Sequence, residues 1–109
     1  MASAGDLETK FKKAADFFKA YPKGGKIQLS NDQQLKFYSL FKIATVGKCN
    51  IAAPGVTDLV GKAKYDAWNG LGDKSKNDAM TEYIQALMVV LNEHDKTPAE
   101  ETLLKEIAV

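Results

Sequence analysis

The sequence predicts an all-α protein made of four helices and a short C-terminal stretch. Three observations lead there. Apolar residues recur at spacings of three and four in four separate segments. No segment alternates with the period of two that a half-buried strand requires. Helix-starting and helix-stopping residues punctuate the chain between those segments.

The first helix is expected from about Leu7 to Tyr21, with Leu7, Phe11, Ala14, Ala15, Phe18 and Tyr21 on one face. Pro22 and Gly24-Gly25 end it. Ser30 followed by Gln33 reads as a capping box opening the second helix, which reaches about Val46 with Gly47 at its C-cap. A loop over residues 48–56, with Cys49, Pro54 and Gly55, leads to the third helix. That helix starts at Thr57 or Asp58 and runs to about Leu71, stopped by Gly70 and Gly72. Ser75 with Asp78 three residues on caps the fourth helix, whose stripe is Met80, Tyr83, Ile84, Leu87, Met88 and Leu91, ending near His94. Pro98 separates an amphipathic stretch, Ala99–Ile107, either a short helix or partly disordered. The expected division is a domain over residues 4–96 and an extension over 97–109.

Composition narrows the function classes. With 109 residues there is room for one core. The net charge of +1 gives no global reason to expect nucleic acid or an anionic surface. All 15 basic residues are lysine, so an anion site must use point charges rather than guanidinium forks. Cys49 is the single cysteine, which excludes an intrachain disulfide and fits a reducing compartment. The first residues show no secretory signal, and no apolar run approaches the ~20 residues of a membrane span. A cytoplasmic protein is expected. His94, the only histidine, has no evident nucleophile to serve. Metal-ligand spacing is absent, and the glycine pairs match neither a P-loop nor a dinucleotide fingerprint. Neither catalysis nor a cofactor is expected.

Two segments depart from an ordinary core pattern. On the second helix, Phe37, Leu40, Phe41 and Ala44 share one arc at ~100° per residue, while Leu35, Tyr38, Lys42, Thr45 and Val46 share another. The first arc can face the core; the second places a lysine among apolar and aromatic side chains. On the third helix Val60, Lys64, Trp68 and Leu71 form one stripe, so a lysine interrupts an otherwise buried row. Taken singly, each lysine reads as a side chain snorkelling over the core edge, and Trp68 as core. Two such lysines in one small domain raise the alternative of a shared anion. Tyr83 is open between a core tyrosine and a ligand contact, and Lys19 reads alone as a solvated lysine.

Read together, four motifs resemble the acyl-CoA-binding protein family. They are Tyr38-x-x-x-Lys42-x-Ala44-Thr45-Val46-Gly47, Lys62-x-Lys64-x-Asp66-Ala67-Trp68-Asn69, Ser75-x-x-Asp78-Ala79-Met80 and Tyr83-Ile84. The match spans roughly residues 7 to 94. The resemblance implies an up-down-down-up four-helix bundle, normally a monomer, that carries medium- to long-chain fatty acyl-CoA. It implies that Tyr38, Lys42 and Lys64 hold the 3′-phosphate and adenine region, that Tyr83 lies against the nucleotide, and that Lys19 completes a positive rim. Phe41 stands where the family usually has tyrosine, so stacking is retained without a hydroxyl. Leu35 is implied in the acyl-chain groove. Other departures are Tyr65 in place of tryptophan, Val60 in place of lysine, Gln34 in place of an apolar groove residue, and a first loop longer by about four residues. The implied partners are enzymes and membranes that donate or accept acyl-CoA. The competing expectation is a helical protein-interaction module of the same fold with weak or no ligand binding, motivated by the longer loop, Val60 and the tail after Pro98.

Overall fold

A computed structural model of the protein describes residues 4–21, 25, 27–93 and 95–108. Among these there are five helices and no strand: α1 (Ala4–Ala20), α2 (Asn31–Thr45), α3 (Leu59–Asn69), α4 (Lys76–Asn92) and α5 (Pro98–Ile107). Pro22, Gly24 and His94, on which two expected helix ends rest, lie outside the described residues. No described helix is long and apolar enough to cross a membrane. The chain divides into two compact units: the described residues of Met1–Gln28 and Met80–Val109, and those of Leu29–Ala79.

In the second unit, local chemistry sets each helix end. Ser30 Oγ accepts from the Gln33 N–H at 3.1 Å, and Gln33 Oε1 accepts from the Ser30 N–H at 2.9 Å. This is the expected capping box; it satisfies two backbone donors left over at the helix start. At the other end of α2, the N–H groups of Val46 and Gly47 both donate to the Lys42 carbonyl, at 2.8 and 3.1 Å. Gly47 has φ +106°, a conformation closed to most side-chain-bearing residues. Asp58 caps α3 by accepting from the Gly61 N–H at 2.9 Å. A Cβ on Gly61 would collide with that carboxylate, which explains a glycine inside a helix. Ser75 Oγ accepts from the Asp78 N–H at 3.0 Å at the start of α4.

Burial corrects two details of the arc reading. Phe37, Leu40 and Ala44 are buried, but Phe41 is exposed and Ile43 is fully buried in its place. The buried arc of α2 is centred nearer Leu40 than Phe37, which leaves Phe41 on its flank. The α3 stripe is not a buried row: Trp68 is 2% exposed, whereas Val60 is 68% exposed. An 11-residue helix buries its apolar stripe only where a neighbour covers it, and here that is the C-terminal end.

In the first unit, α1 buries Leu7, Phe11 and Ala14, and α4 buries Met80, Tyr83, Ile84, Leu87, Val90 and Leu91. The Tyr83 ring meets Phe11 and Phe18 edge-on, with centroids 5.1 and 6.2 Å away. The stretch after Pro98 is helical. Thr97 caps it through a second capping box with Glu100, and Pro98 sits in the first turn, where its missing N–H costs nothing. α5 packs on α1. Ile107 is fully buried, Lys13 pairs with Glu106 at 2.8 Å, and Lys10 Nζ donates to the Ala108 carbonyl at 2.6 Å.

Candidate functional site

The face of α2 opposite its buried arc carries Asn31, Gln34, Leu35 and Tyr38, spaced i, i+3, i+4, i+7. The face of α3 turned to it carries Leu59, Val60, Ala63 and Lys64. Together they line a groove of about 500 Å³, within the usual size of small-ligand sites. Its walls are mainly apolar, with amides at Asn31 and Gln34 and an ammonium at Lys64. Gln34 directs its side-chain N–H₂ to the Leu29 carbonyl at 3.1 Å.

In the groove wall, Tyr38 is flanked by both lysines singled out in the sequence. Lys64 Nζ lies 5.4 Å from the Tyr38 ring centroid and Lys42 Nζ 5.8 Å from it. Lys42 Nζ also lies 5.4 Å from the Trp68 ring. These are cation–π distances. The salt bridges of this unit use other lysines: Lys48 with Asp73 at 3.3 Å, and Lys62 with Asp66 at 3.5 Å. Neither Lys42 nor Lys64 forms a salt bridge among the described residues. Lys42 stands in the last turn of α2, where the helix dipole favours a cation. Two positive charges thus share one aromatic ring, with no carboxylate among the described residues paired to either.

The structure brings Leu35, Tyr38, Lys42 and Lys64 together in the second unit. Phe41 is 39% exposed on the same helix. Lys19 is exposed in the last turn of α1, and Tyr83 is buried, both in the first unit. Burial pushes the Tyr83 phenol from 10.0 up to about 12, because ionisation would place a charge in apolar surroundings. Asn31, Leu59 and Ala63 were not picked out from the sequence. The signal was present: 59, 60, 63 and 64 are neighbours on one helical face. Among the described residues no group of His, Cys, Asp or Glu is arranged to hold a metal ion.

Residues 8–87 match the family described as "Acyl CoA binding protein". The chain is 45% identical over 100 residues to acyl-CoA-binding domain-containing protein 5 of Xenopus laevis, covering 92% of this chain and 21% of that protein. It thus spans about a fifth of the length of the curated relatives it matches. Among solved structures, the ACBP of Moniliophthora perniciosa superposes with a TM-score of 0.85 at 41% identity, covering 92% of this chain and 93% of that one. Acyl-CoA-binding protein 2 of Oryza sativa gives 0.71 at 36% identity, covering 80% and 92%. The all-helical fold class expected from the sequence is the one these structures share. Motifs, fold and relatives agree, and this chain belongs to the acyl-CoA-binding protein family.

Proposed function

We propose that this protein binds medium- to long-chain fatty acyl-CoA reversibly and without catalysis, buffering it and carrying it between enzymes and membranes in the cytoplasm as a monomer. One observation supports the reading most. Two ammonium groups with no carboxylate partner among the described residues share the Tyr38 ring, and Tyr38 and Lys64 also form part of an apolar groove. In this reading Lys42 and Lys64 take the 3′-phosphate, with the Tyr38 hydroxyl as a hydrogen-bond partner. Phe41 offers a ring for stacking. Leu35, with Leu59 and Ala63, shields the acyl chain. Lys19 and Tyr83 enter as headgroup contacts on the family resemblance alone. The binding domain is assigned to residues 4–96, with 97–109 as an extension.

The energetics require both halves of the ligand. Burying about 14 methylenes at ~0.8 kcal/mol each gives on the order of 11 kcal/mol gross. Ordering the ligand and losing its translational freedom cancel much of it. A free fatty acid lacks the phosphate anchor, and free CoA lacks the hydrophobic term. Calorimetric titration with a long-chain acyl-CoA, the matching fatty acid and free CoA tests this. The thioester should bind far more tightly than either part. Equal affinity for all three, or no binding of the thioester, refutes the proposal.

A further inference from the structure

Trp68 is the only tryptophan of the chain, and its burial alone would make it a core residue. Its contacts say more. Its Nε1–H donates to the Gly47 carbonyl at 2.8 Å. Gly47 belongs to the turn whose two N–H groups converge on the carbonyl of Lys42. The indole ring meanwhile lies 5.4 Å from the Lys42 ammonium. Trp68 is therefore linked to Lys42 in two ways: directly, at the charged tip of the side chain, and indirectly, through Gly47 in the turn that ends α2. From the ring of Trp68 the order runs to Lys42, then Tyr38, then Lys64, aromatic and ammonium in alternation.

An alternating row of this kind has a physical consequence. A lysine held by a carboxylate is neutralised, and an incoming phosphate must compete with that partner. A ring face attracts the ammonium through its quadrupole and leaves the full positive charge in place. It also limits the rotamer freedom of a long flexible side chain, so less entropy is lost when an anion arrives. Indole is the strongest of the aromatic faces for this purpose.

We propose that Trp68 is a positioning residue for anion capture, its indole face presetting the Lys42 ammonium beside Tyr38 so that Lys42 and Lys64 meet a phosphate together. The inference rests on the reading of Lys42 as a headgroup contact. It goes beyond that reading by giving a residue outside the groove a measurable share in ligand affinity.

Because Trp68 is unique, growth on fluorinated tryptophans alters this position alone. Each added fluorine withdraws charge from the ring face while shape and the Nε1–H are largely kept. The measurement is calorimetric affinity for hexadecanoyl-CoA across tryptophan and its mono-, di- and trifluoro forms, in the native chain and in Lys42→Met. Affinity should fall stepwise in the native chain, by about two- to fivefold in all, the equivalent of one exposed cation–π contact. It should stay flat in Lys42→Met. Trp68→Phe, which keeps a weaker ring face, should show a loss that likewise vanishes in the Lys42→Met background. A parallel decline in both backgrounds makes Trp68 a packing residue and overturns the inference. So does a flat or rising series in the native chain. If Lys42→Met itself leaves affinity unchanged, the headgroup reading of Lys42 fails, an outcome separate from failure of the Trp68 role.

Discussion

Replacing Ile107 with alanine tests whether the C-terminal helix is an integral part of its unit. Ile107 is fully buried near the end of α5, 20 residues beyond the last position of the family match. Three side-chain carbons are removed, which costs about 2.4 kcal/mol in transfer free energy at ~0.8 kcal/mol per carbon. A rigid surrounding would add a cavity term, bringing the range for buried isoleucine to about 2–5 kcal/mol. Ile107 is the last residue of the helix, so the final turn can relax, and the lower half of that range is expected. The neighbouring Lys13–Glu106 pair is nearly half-exposed on both sides and contributes at most about 1 kcal/mol. Equilibrium unfolding in urea should therefore show Ile107→Ala destabilised by about 2–3 kcal/mol and Glu106→Gln by less than about 1 kcal/mol. Only the second effect should shrink in high salt. A loss under about 0.5 kcal/mol for Ile107→Ala, the ordinary range for surface changes, would refute docking of α5 on α1.

Further outcomes follow from single residues. Lys64→Met should weaken acyl-CoA binding about 5- to 30-fold, reduce its salt dependence and leave the urea midpoint unchanged, since an exposed lysine contributes little to folding. Gly47→Ala should cost about 1–3 kcal/mol in urea unfolding, because φ +106° strains any residue with a Cβ. For Tyr83 the folded-state value of about 12 lies above the unfolded 10.0. Its contribution is fully present below pH 10 and is lost as pH rises towards 12, amounting to about 3 kcal/mol. Unfolding measured across that window should steepen with pH in the native chain and flatten in Tyr83→Phe, and tyrosinate absorbance should show one of the four tyrosines ionising late.

The helix ends were legible because capping is local. Ser30 with Gln33, Ser75 with Asp78 and Gly47 each act on backbone groups within a turn of themselves. Periodicity placed Leu7, Phe11, Ile84 and Leu87 in the interior for the same reason. It misplaced Phe41 and Val60, because a pattern read at ~100° per residue fixes an arc but not which part of it a neighbour will cover.

An all-helical chain, its family and two lysines out of place on apolar stripes are legible in the residues alone. Those properties depend on residue type and spacing along the chain. Packing set the rest: it brings Lys64 to the Tyr38 ring that Lys42 neighbours one turn away on α2, lays the Trp68 ring against Lys42, and buries Ile107. The Lys64–Tyr38, Trp68–Lys42 and Ile107 contacts each join different helices. Which helix faces lie against one another is a property of packing, and spacing within a single helix does not contain it.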